Sequence, residues 1–362
     1  MIYPRISIII LNWNGWKDTI ECLESFQRII YPNYQVIVVD NGSIDDSVEK
    51  IKEWARGNIH VKSRFFNYDS STKPVQWIEY DRVTAEVGGI PRKEAELTQL
   101  SSNRKIVLIQ AGKNLGFAGG NNVAIRYVLK RNYSYIGLLN NDTIVDSNYL
   151  TLIISTLKED SQWTACSPKI LFKGNPSRIW YVGAKIRMYK GGGIHIGQGE
   201  QDNTELNGIE MTTCLSGCAF IAKRVLFEKV GLLDEDFFFA HEDTHLFYQA
   251  GKQGMLFCVN LDAKIYHKAG GSVGQSPKAF YFDHKGRMIF IAKNGRHIDK
   301  LIFWSFWILT RLISFTLLIF KRKGNLIKAE LRALHDFLTK RWGEYDRKRE
   351  NFRNQNDNTS RK

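Results

Sequence analysis

The chain has 362 residues, 43% of them hydrophobic, which is enough to bury a full globular core. Its net charge at pH 7 is +14, and residues 293–362 account for +10 of it, with 17 basic against 7 acidic side chains. The body carries neither a recognition motif nor a basic-aromatic groove, so no nucleic-acid partner is expected. Five cysteines without a CxxC pair argue against a disulfide framework and predict reduced, buried thiols.

The N-terminal part alternates predicted strands and helices. Apolar runs rich in β-branched residues predict buried parallel strands, and apolar residues at helical spacing predict helices between them. This alternation indicates a doubly wound α/β sheet. The first run is too short for a signal peptide. The predicted strands are 6–11, 34–39, 106–110 and 135–139, and the predicted helices are 18–29, 47–54 and 118–131.

Residues 67–104 interrupt this alternation. They are polar and contain Pro74, Gly88-Gly89 and Pro91, which predicts an insertion with a small hairpin between the second helix and the third strand. Farther along, residues 165–220 are expected to be rich in strands. A short helix is expected at 222–230, and another is expected to begin near Glu242.

The C-terminal part predicts membrane association. Residues 301–320 are long and apolar enough for a span, but they include Arg311, which costs about 2.5–3.5 kcal/mol at a bilayer centre. Residues 327–342 have the pattern of an interfacial amphipathic helix. Because basic residues flank the apolar stretch, we expect shallow insertion at the cytoplasmic face of an anionic cell membrane. The alternative is that these helices pack on the catalytic domain or form a homodimer interface.

Polar residues follow several of the predicted strands. In open α/β sheets, ligands bind at the carboxyl ends of the strands, where Asn12-Trp13-Asn14, Asp40 and Asn140-Asn141-Asp142 stand. Asp243 follows an apolar-aromatic run, and partial desolvation raises the basicity of such a carboxylate. Asp142 and His267 are ligand types suited to a divalent ion. This equipment indicates sugar transfer from a nucleotide.

Five segments, in this order, resemble the inverting family-2 glycosyltransferases, especially the rhamnosyltransferase-like branch. The resemblance covers roughly residues 5–275 and implies a GT-A fold, a Rossmann-like and mostly parallel sheet flanked by helices. It implies a catalytic domain at 1–275, followed by a helical membrane-associating region at 276–350 and a disordered tail at 351–362. The segments are 6–15, 38–43, 114–122, 138–142 and 231–243.

The resemblance implies the chemical roles. Asp243 would be the base that deprotonates the acceptor hydroxyl, and Glu242 would orient the acceptor; a helix-capping acid pair is the alternative. Asp142 and His267 would hold Mg²⁺ or Mn²⁺ on the donor diphosphate. The alternatives are that Asp142 caps a helix and that His267 has a structural role. The first acid of the family's Asp-x-Asp motif is Asn140 here, which leaves one fewer negative charge.

Asp40 would contact the nucleobase or ribose of the donor, and the alternative is a turn-forming Asp. The glycine-rich segment before a helix suits an approach to phosphate, with helix packing as the alternative for Gly120. Trp180, Gly217 and Cys218 are candidates for sugar or acceptor contacts. The other candidates for donor-nucleotide binding are Asn12, Trp13, Asn14, Asn114, Gly116, Phe117, Gly120, Asn121, Asn140 and Asn141.

The predicted reaction moves a sugar, with inversion, from a nucleoside diphosphate to a hydroxyl of a glycan or polyprenyl-linked acceptor, as in polysaccharide and cell-wall assembly. Rhamnose from a dTDP donor is the first expectation, and UDP-linked sugars stay open. A sugar nucleotidyltransferase and a non-catalytic glycan- or lipid-binding module are the alternatives. The former usually carries a basic glycine-rich motif near the first strand, and Asn12-Trp13-Asn14-Gly15 is not one.

Overall fold

The computed structural model describes residues 3–203, 205–268 and 276–343, so the expected disordered tail at 351–362 lies outside the described residues. The chain divides into two compact units. The first comprises Met1–Ile186, Gly193–Asp234 and Asp243–Ala269, and the second comprises Arg187–Gly192, Glu235–Glu242 and Gly270–Lys362. Two short segments of the body thus belong to the same unit as the C-terminal helices.

The first unit is built on one large sheet, and its central strands are the buried β-branched runs. Their side chains are excluded from water on both faces, as parallel strands between helices require. The strands are β1 (Ile6–Asn12), β2 (Tyr34–Asp40), β3 (Gln76–Asp81), β4 (Lys105–Gln110), β5 (Tyr135–Asn140), β6 (Thr143–Val145), β7 (Trp163–Phe172), β8 (Asn175–Tyr181), β9 (Ala184–Arg187), β10 (Gly192–His195), β11 (Ile209–Thr212), β12 (Ala219–Lys223) and β13 (Leu256–His267).

The helices follow the predicted order. The three helices expected in the N-terminal part are present with ends shifted by a few residues, whereas α3, α4 and α6 were not anticipated. The helices are α1 (Trp16–Ser25), α2 (Ser47–Arg56), α3 (Arg82–Glu86), α4 (Pro91–Thr98), α5 (Gly116–Leu129), α6 (Tyr149–Glu159), α7 (Val225–Val230), α8 (Glu242–Lys252), α9 (Pro277–Asn294), α10 (His297–Phe320) and α11 (Gly324–Leu338).

The strand order of the large sheet within the described residues is β11-β13-β7-β12-β5-β1-β2-β4-β3, with β6 on β13 and β8 on β7, while β9 and β10 form a separate two-stranded sheet. All neighbours from β5 to β3 are parallel, whereas β12 is antiparallel to both β5 and β7. Helix α5 packs on β1 and β2. The sheet is therefore mostly parallel in its N-terminal half and mixed beyond β5, with helices packed against it.

The predicted hairpin within residues 67–104 is wrong. Strand β3 instead pairs in parallel with β4 and forms the edge of the sheet, and α3 and α4 follow it. The physical reason is that alternation along a strand reports which face is buried but not which strand is its partner. The expectation that all five cysteines are free and buried is confirmed.

The second unit contains three helices within the described residues, and α11 packs against α9. Helix α10 is, in the described part of the chain, the one helix long and apolar enough to cross a membrane, with a mean hydropathy of 1.8 over its most apolar window. Most of its large apolar side chains are exposed, including Leu309, Leu312 and Ile313. This helix therefore presents an extended apolar face.

Two loops at the carboxyl ends of the parallel strands pack directly on each other. Gly42 has a φ of +70°, and a Cβ built there would lie 2.5 Å from the carbonyl carbon of Lys113. A side chain at this position would collide with backbone, which cannot move aside as a flexible side chain can. Gly42 therefore fixes the distance between the loop after β2 and the loop before α5.

We predict that Gly42→Ala destabilises the protein by about 2–4 kcal/mol, because it adds an overpacking cost to the left-handed backbone cost. Gly112→Ala is the matched control: Gly112 has a φ of +76° but no atom within 4 Å of its Cβ position. The difference between the unfolding free energies of the two variants, measured in urea, gives the cost of the close contact between the Gly42 position and Lys113. Equal loss of unfolding free energy in the two variants would contradict the prediction.

Candidate active site

Asn12 and Asp40 meet at the ends of β1 and β2, where the register places them opposite each other. Asn12 Nδ2 donates to Asp40 Oδ1 at 2.9 Å, and the Ser43 backbone N–H donates to Asp40 Oδ2 at 3.0 Å. Asn12 is fully buried and Asp40 is 4% exposed. Asn12 thus holds the Asp40 carboxylate in place, while each carboxylate oxygen retains a further lone pair for a ligand.

Asn14 ties the end of β1 to the loop after β2. It has a φ of +52°, its N–H donates to Ser43 Oγ at 2.9 Å, and its Oδ1 accepts from the Ile44 N–H at 2.7 Å. The neighbouring Trp13 is half-buried. These contacts give the loop at residues 43–45 a defined conformation beside Asp40.

The glycine-rich segment is held by Asn41, a residue to which the sequence had assigned no role. Asn41 Nδ2 donates to Asn114 Oδ1 at 3.1 Å and to the Gly116 carbonyl at 3.0 Å, and its Oδ1 accepts from the Leu115 N–H at 2.9 Å. A Cβ at Gly120 would lie 2.6 Å from Leu11 Cδ1. The structure therefore places Gly120 in the packing of α5 on β1.

The rest of α5 faces inward. Asn121 is buried, and its Nδ2 donates to the Phe117 carbonyl at 2.9 Å. Asn122 brackets the backbone of Leu233: its Nδ2 donates to the Leu233 carbonyl at 2.8 Å, and its Oδ1 accepts from the Leu233 N–H at 3.0 Å. Because 111 residues separate the pair, Asn122 fixes the path of a distant segment that leads towards α8.

Asp142 and His267 come together at the ends of β5 and β13. His267 Nε2 lies 3.1 Å from Asp142 Oδ1, and the His267 side chain is 9% exposed. Burial alone would raise the pKa of Asp142, but the close contact and charge of His267 outweigh it, so the pKa lies below its usual range. The carboxylate is therefore ionised at neutral pH.

Asp142 and His267 would hold a divalent cation, because a carboxylate oxygen and an imidazole nitrogen 3.1 Å apart are ligand types that such a cation takes. His267 Nδ1 is buried and makes no hydrogen bond within the described part of the chain. Among the described residues no group of three or more His, Cys, Asp or Glu could hold a metal. The remaining positions would have to come from ligand and water.

Asn140 and Asn141 connect this pair to the surrounding structure. The Asn140 N–H donates to the Cys218 carbonyl at 2.8 Å, and Asn141 Nδ2 donates to Thr19 Oγ1 at 2.9 Å. The side chain of Asn141 is thus engaged by α1. The loop that carries Asp142 is anchored on both sides.

Asp243 lies in the first turn of α8 and is half-buried. The Gly217 N–H donates to Asp243 Oδ2 at 2.7 Å, and the Thr244 N–H donates to Oδ1 at 2.6 Å. Gly217 therefore contacts the carboxylate directly. The adjacent Cys218 is buried, and burial raises the pKa of its thiol well above the usual value, so the thiol stays protonated.

Trp180 and His195 lie beside His267. The Trp180 ring lies edge-on to His267 at 4.6 Å and to His195 at 4.8 Å between ring centroids. Burial lowers the pKa of His195, although the charge of Asp243 opposes this, so His195 is neutral at pH 7. Sequence reasoning missed His195; the signal that could have pointed to it was its place after the Gly191-Gly192-Gly193 run.

The chain enters α8 in a strained conformation. Ala240 and His241 have φ values of +67° and +72°, a region that non-glycine residues rarely adopt. The His241 ring packs on Gly192 and Gly286, where a Cβ would come within 2.7 Å of it. His241 Nε2 lies 3.1 Å from Asp283 Oδ1. These contacts offset the backbone cost two residues before Asp243, and Glu242 follows as a buried residue.

The segments that carry Asp243 and Asp142 are joined by one loop. The loop at residues 216–218 bonds to Asp243 through the Gly217 N–H and to Asn140, two residues before Asp142, through the Cys218 carbonyl. Asp40 lies at the end of β2, which is separated from β5 by β1.

Comparisons with known proteins show what the chain is similar to. Residues 7–71 match the family described as Glycosyl transferase family 2. The low-salt glycan biosynthesis hexosyltransferase Agl10 of Haloferax volcanii is 26% identical over 249 residues, which are 67% of this chain and 78% of the relative. The dTDP-rhamnosyl transferase RfbF of Shigella flexneri is 23% identical over 216 residues, covering 56% and 68%.

Among solved structures, the mannosyltransferase PcManGT from Pyrobaculum calidifontis, in complex with GDP-Man and Mn²⁺, superimposes with a TM-score of 0.52. It is 13% identical and covers 93% of this chain and 88% of its own, so this likeness concerns the fold. The expected GT-A fold and the resemblance to family 2 are confirmed. The protein is a glycosyltransferase, and the nucleotidyltransferase and binding-module alternatives are set aside.

We predict that Asn122→Ala lowers the unfolding free energy by about 2–4 kcal/mol, because it leaves the buried N–H and carbonyl of Leu233 without their partner. The exposed Asn132 serves as the control, and Asn132→Ala should change stability by about 0.5 kcal/mol at most. Urea unfolding monitored by Trp fluorescence measures both. If Asn122→Ala lowered the unfolding free energy as little as Asn132→Ala does, the role of Asn122 in holding Leu233 would be refuted.

Proposed function

We propose that this glycosyltransferase moves a sugar, with inversion, from a nucleoside-diphosphate donor to a hydroxyl of a glycan or polyprenyl-linked acceptor. The observation that carries the proposal is that the loop at residues 216–218 bonds both to Asp243 and to Asn140, two residues before Asp142, whose carboxylate lies against His267. Inversion needs one base on the acceptor side and charge stabilisation on the leaving diphosphate. The chain offers a group for each task.

Asp243 is the proposed base. Its two oxygens accept backbone N–H bonds from Gly217 and Thr244, which orient the carboxylate while leaving lone pairs for an acceptor hydroxyl. An oriented carboxylate that takes the proton during attack accelerates transfer by about 10²–10⁴. Glu242, Trp180 and Gly217 are proposed to shape the sugar and acceptor side. Cys218 contributes through its backbone carbonyl, because its thiol is buried.

Asp142 and His267 are proposed to hold Mg²⁺ or Mn²⁺ on the donor diphosphate. A bound divalent cation neutralises the charge that develops on the leaving group. The two proposed ligand atoms, Asp142 Oδ1 and His267 Nε2, lie 3.1 Å apart. The Trp180 ring packs edge-on against His267 and keeps the imidazole in its orientation. The Mn²⁺ in the complex of PcManGT supports the use of a divalent cation.

The donor side is proposed to lie at Asp40 and the loops around it. Asp40 would accept from the nucleobase or ribose, with Asn12 holding the carboxylate and Trp13 beside it. The backbone of the glycine-rich segment, fixed by Asn41, would approach the phosphates. The similarity to the dTDP-rhamnosyl transferase of Shigella flexneri supports dTDP-rhamnose as the first donor to test, with UDP-linked sugars next.

We also propose that the second unit attaches the enzyme to the cytoplasmic face of a membrane. The apolar face of α10 is exposed, and residues 293–362 carry +10 of the net charge. The cytoplasmic leaflet is rich in anionic lipids, which attract basic segments by about 1 kcal/mol per residue. A lipid-linked acceptor would then share a surface with the enzyme, in keeping with a role in surface polysaccharide or cell-wall assembly.

A thermal-shift screen of nucleotide sugars with and without Mn²⁺, followed by transfer assays, tests the proposal. A donor that binds the native state raises the melting temperature in proportion to its occupancy. We expect the largest rise with dTDP-rhamnose or a UDP-sugar. Stabilisation by guanosine or cytidine donors alone would contradict the donor assignment, and a product with retained anomeric configuration would contradict the single-base mechanism.

We predict that Asp243→Asn lowers the transfer rate by about 10²-fold or more while the donor-induced thermal shift stays unchanged, because only the proton acceptor is lost. Asp146, an exposed carboxylate after β6, provides the control, and Asp146→Asn should transfer at the wild-type rate. Steady-state kinetics and thermal shift together make the measurement. Near-normal turnover of Asp243→Asn would show that another group is the base.

We predict that Asp142→Asn and His267→Ala remove most of the Mn²⁺-dependent part of donor binding, since each deletes one of the two cation ligands. Isothermal titration of the nucleoside diphosphate with and without Mn²⁺ is the measurement, and it does not depend on turnover. The metal-independent part of the affinity should survive in both variants. If Mn²⁺ enhances binding equally in wild type and variants, the cation lies elsewhere.

A further inference from the structure

Arg311 lies within the apolar helix α10, but its guanidinium turns into the interior of the second unit. Arg311 Nη1 lies 2.5 Å from Glu330 Oε1, and Glu330 is fully buried. The same Nη1 lies 3.3 Å from His284 Nε2. The charge that would oppose insertion of α10 is thus neutralised inside the unit, while the apolar residues of the helix face outward.

A cavity of about 260 Å³ opens beside this ion pair within the second unit. Its lining includes three cations, Lys190, Arg287 and Arg311, and one carboxylate, Asp283. Arg287 is engaged, because its Nε donates to Asp283 Oδ2 at 2.9 Å and its Nη1 donates to the Lys190 carbonyl at 2.8 Å. Arg311 is paired with Glu330, whereas Lys190 makes no ion pair with a described residue. The lining therefore carries one unpaired positive charge, that of Lys190.

Two hydrogen-bond donors on this lining have no protein partner. Arg311 Nε and Trp307 Nε1 are buried and make no hydrogen bond within the described part of the chain. A buried donor without a partner costs about 1–3 kcal/mol, so such groups are usually satisfied. Both donors belong to residues that line the cavity. Because the two donor atoms themselves are buried, an anionic acceptor in the cavity would satisfy them once the side chains turn towards it.

The surroundings of the cavity fit a lipid. Tyr189 and Trp307 line it, and these are the two aromatic residue types enriched at the level of lipid headgroups; Tyr189 is 39% exposed. On the same helix, Leu309, Leu312 and Ile313 are each more than 60% exposed. A phosphate seated in the cavity would leave its acyl chains free to cover this apolar face. A soluble phosphate would leave that face uncovered.

We propose that this cavity binds the phosphate headgroup of an anionic membrane phospholipid, with Lys190, Trp307 and Arg311 as its donors. The proposal rests on the membrane association proposed above and makes it specific. The headgroup would hold α10 at the depth where the ion pair of Arg311 and Glu330 stays within the protein. Membrane attachment would then depend on the cavity as well as on general surface charge.

The test compares two double variants of the full chain on vesicles. Lys190→Gln with Trp307→Phe removes one charge and one indole N–H from the cavity while it leaves the Arg311–Glu330 pair intact. Lys328→Gln with Trp304→Phe makes the same chemical changes outside the cavity; Lys328 is exposed, and neither residue lines the cavity. Binding is measured by co-sedimentation with phosphatidylcholine vesicles containing phosphatidylglycerol.

We expect the control double variant to lose about fivefold in vesicle binding, the effect of one surface charge. The cavity double variant should lose at least about tenfold more, since bonds to a charged phosphate are each worth about 1.5–3 kcal/mol. Equal losses in the two variants, or no binding by the wild type, would overturn the proposal. So would stabilisation of the wild type by inorganic phosphate as large as that by dihexanoyl-phosphatidylglycerol.

Donor-induced thermal shifts of both double variants are recorded alongside. Unchanged shifts show that the variants are folded and that the sugar-transfer proposal stands independently of the lipid result. Wild-type protein that binds vesicles but shows no shift with any nucleotide sugar would contradict the proposed donors while it leaves the lipid site intact.

Discussion

The site depends on the parallel pairing of β1 with β2 on one side and β5 on the other. In this register Asn12 lies opposite Asp40, and Leu11 lies opposite Asn140, so three strand ends reach the same edge of the sheet. A slip of one residue would turn every side chain of a strand to its other face. A slip of β1 would separate Asn12 from Asp40 and leave two buried polar side chains without their hydrogen bond. The strand register therefore sets the positions of Asn12 and Asp40 at this edge.

The segments beyond the parallel half are fixed by long-range hydrogen bonds rather than by regular structure. Asn122 holds Leu233, and the loop at residues 216–218 joins Asp243 to Asn140. Just before Asp243, the chain passes through two left-handed residues, and His241 is held by its bond to Asp283. Burial opposes ionisation of Asp283, but His241 and Arg287 outweigh it and hold its pKa far below the usual range. Local strain at the entry to α8 is thus offset by packing and charge.

The second unit shows how one helix can carry an arginine and still present an apolar face. Arg311 bonds to Glu330 and lies against His284, whose pKa burial lowers to about 3, so the imidazole is neutral and does not repel the guanidinium. The exposed residues of α10 are therefore almost all apolar over several turns. The charge of Arg311 points into the unit, whereas the apolar side chains of α10 point outward. The residue pattern of 301–320 does not reveal this difference in direction.

The sequence by itself determined the fold class, the order of the main strands and helices, and the conclusion that the protein is a glycosyltransferase. These depend on local signals: β-branched runs, helical spacing and short motifs at strand ends. It also pointed to the pairing of Asp142 with His267, by resemblance. Only the tertiary structure decided that β3 is a parallel edge strand, that Asn41 and Asn122 act as clamps, that His195 lies beside Trp180, and that Arg311 faces inward. Each of these depends on partners far apart in sequence or on the direction in which a side chain turns. Neither produces a periodic pattern of residues that sequence analysis could detect.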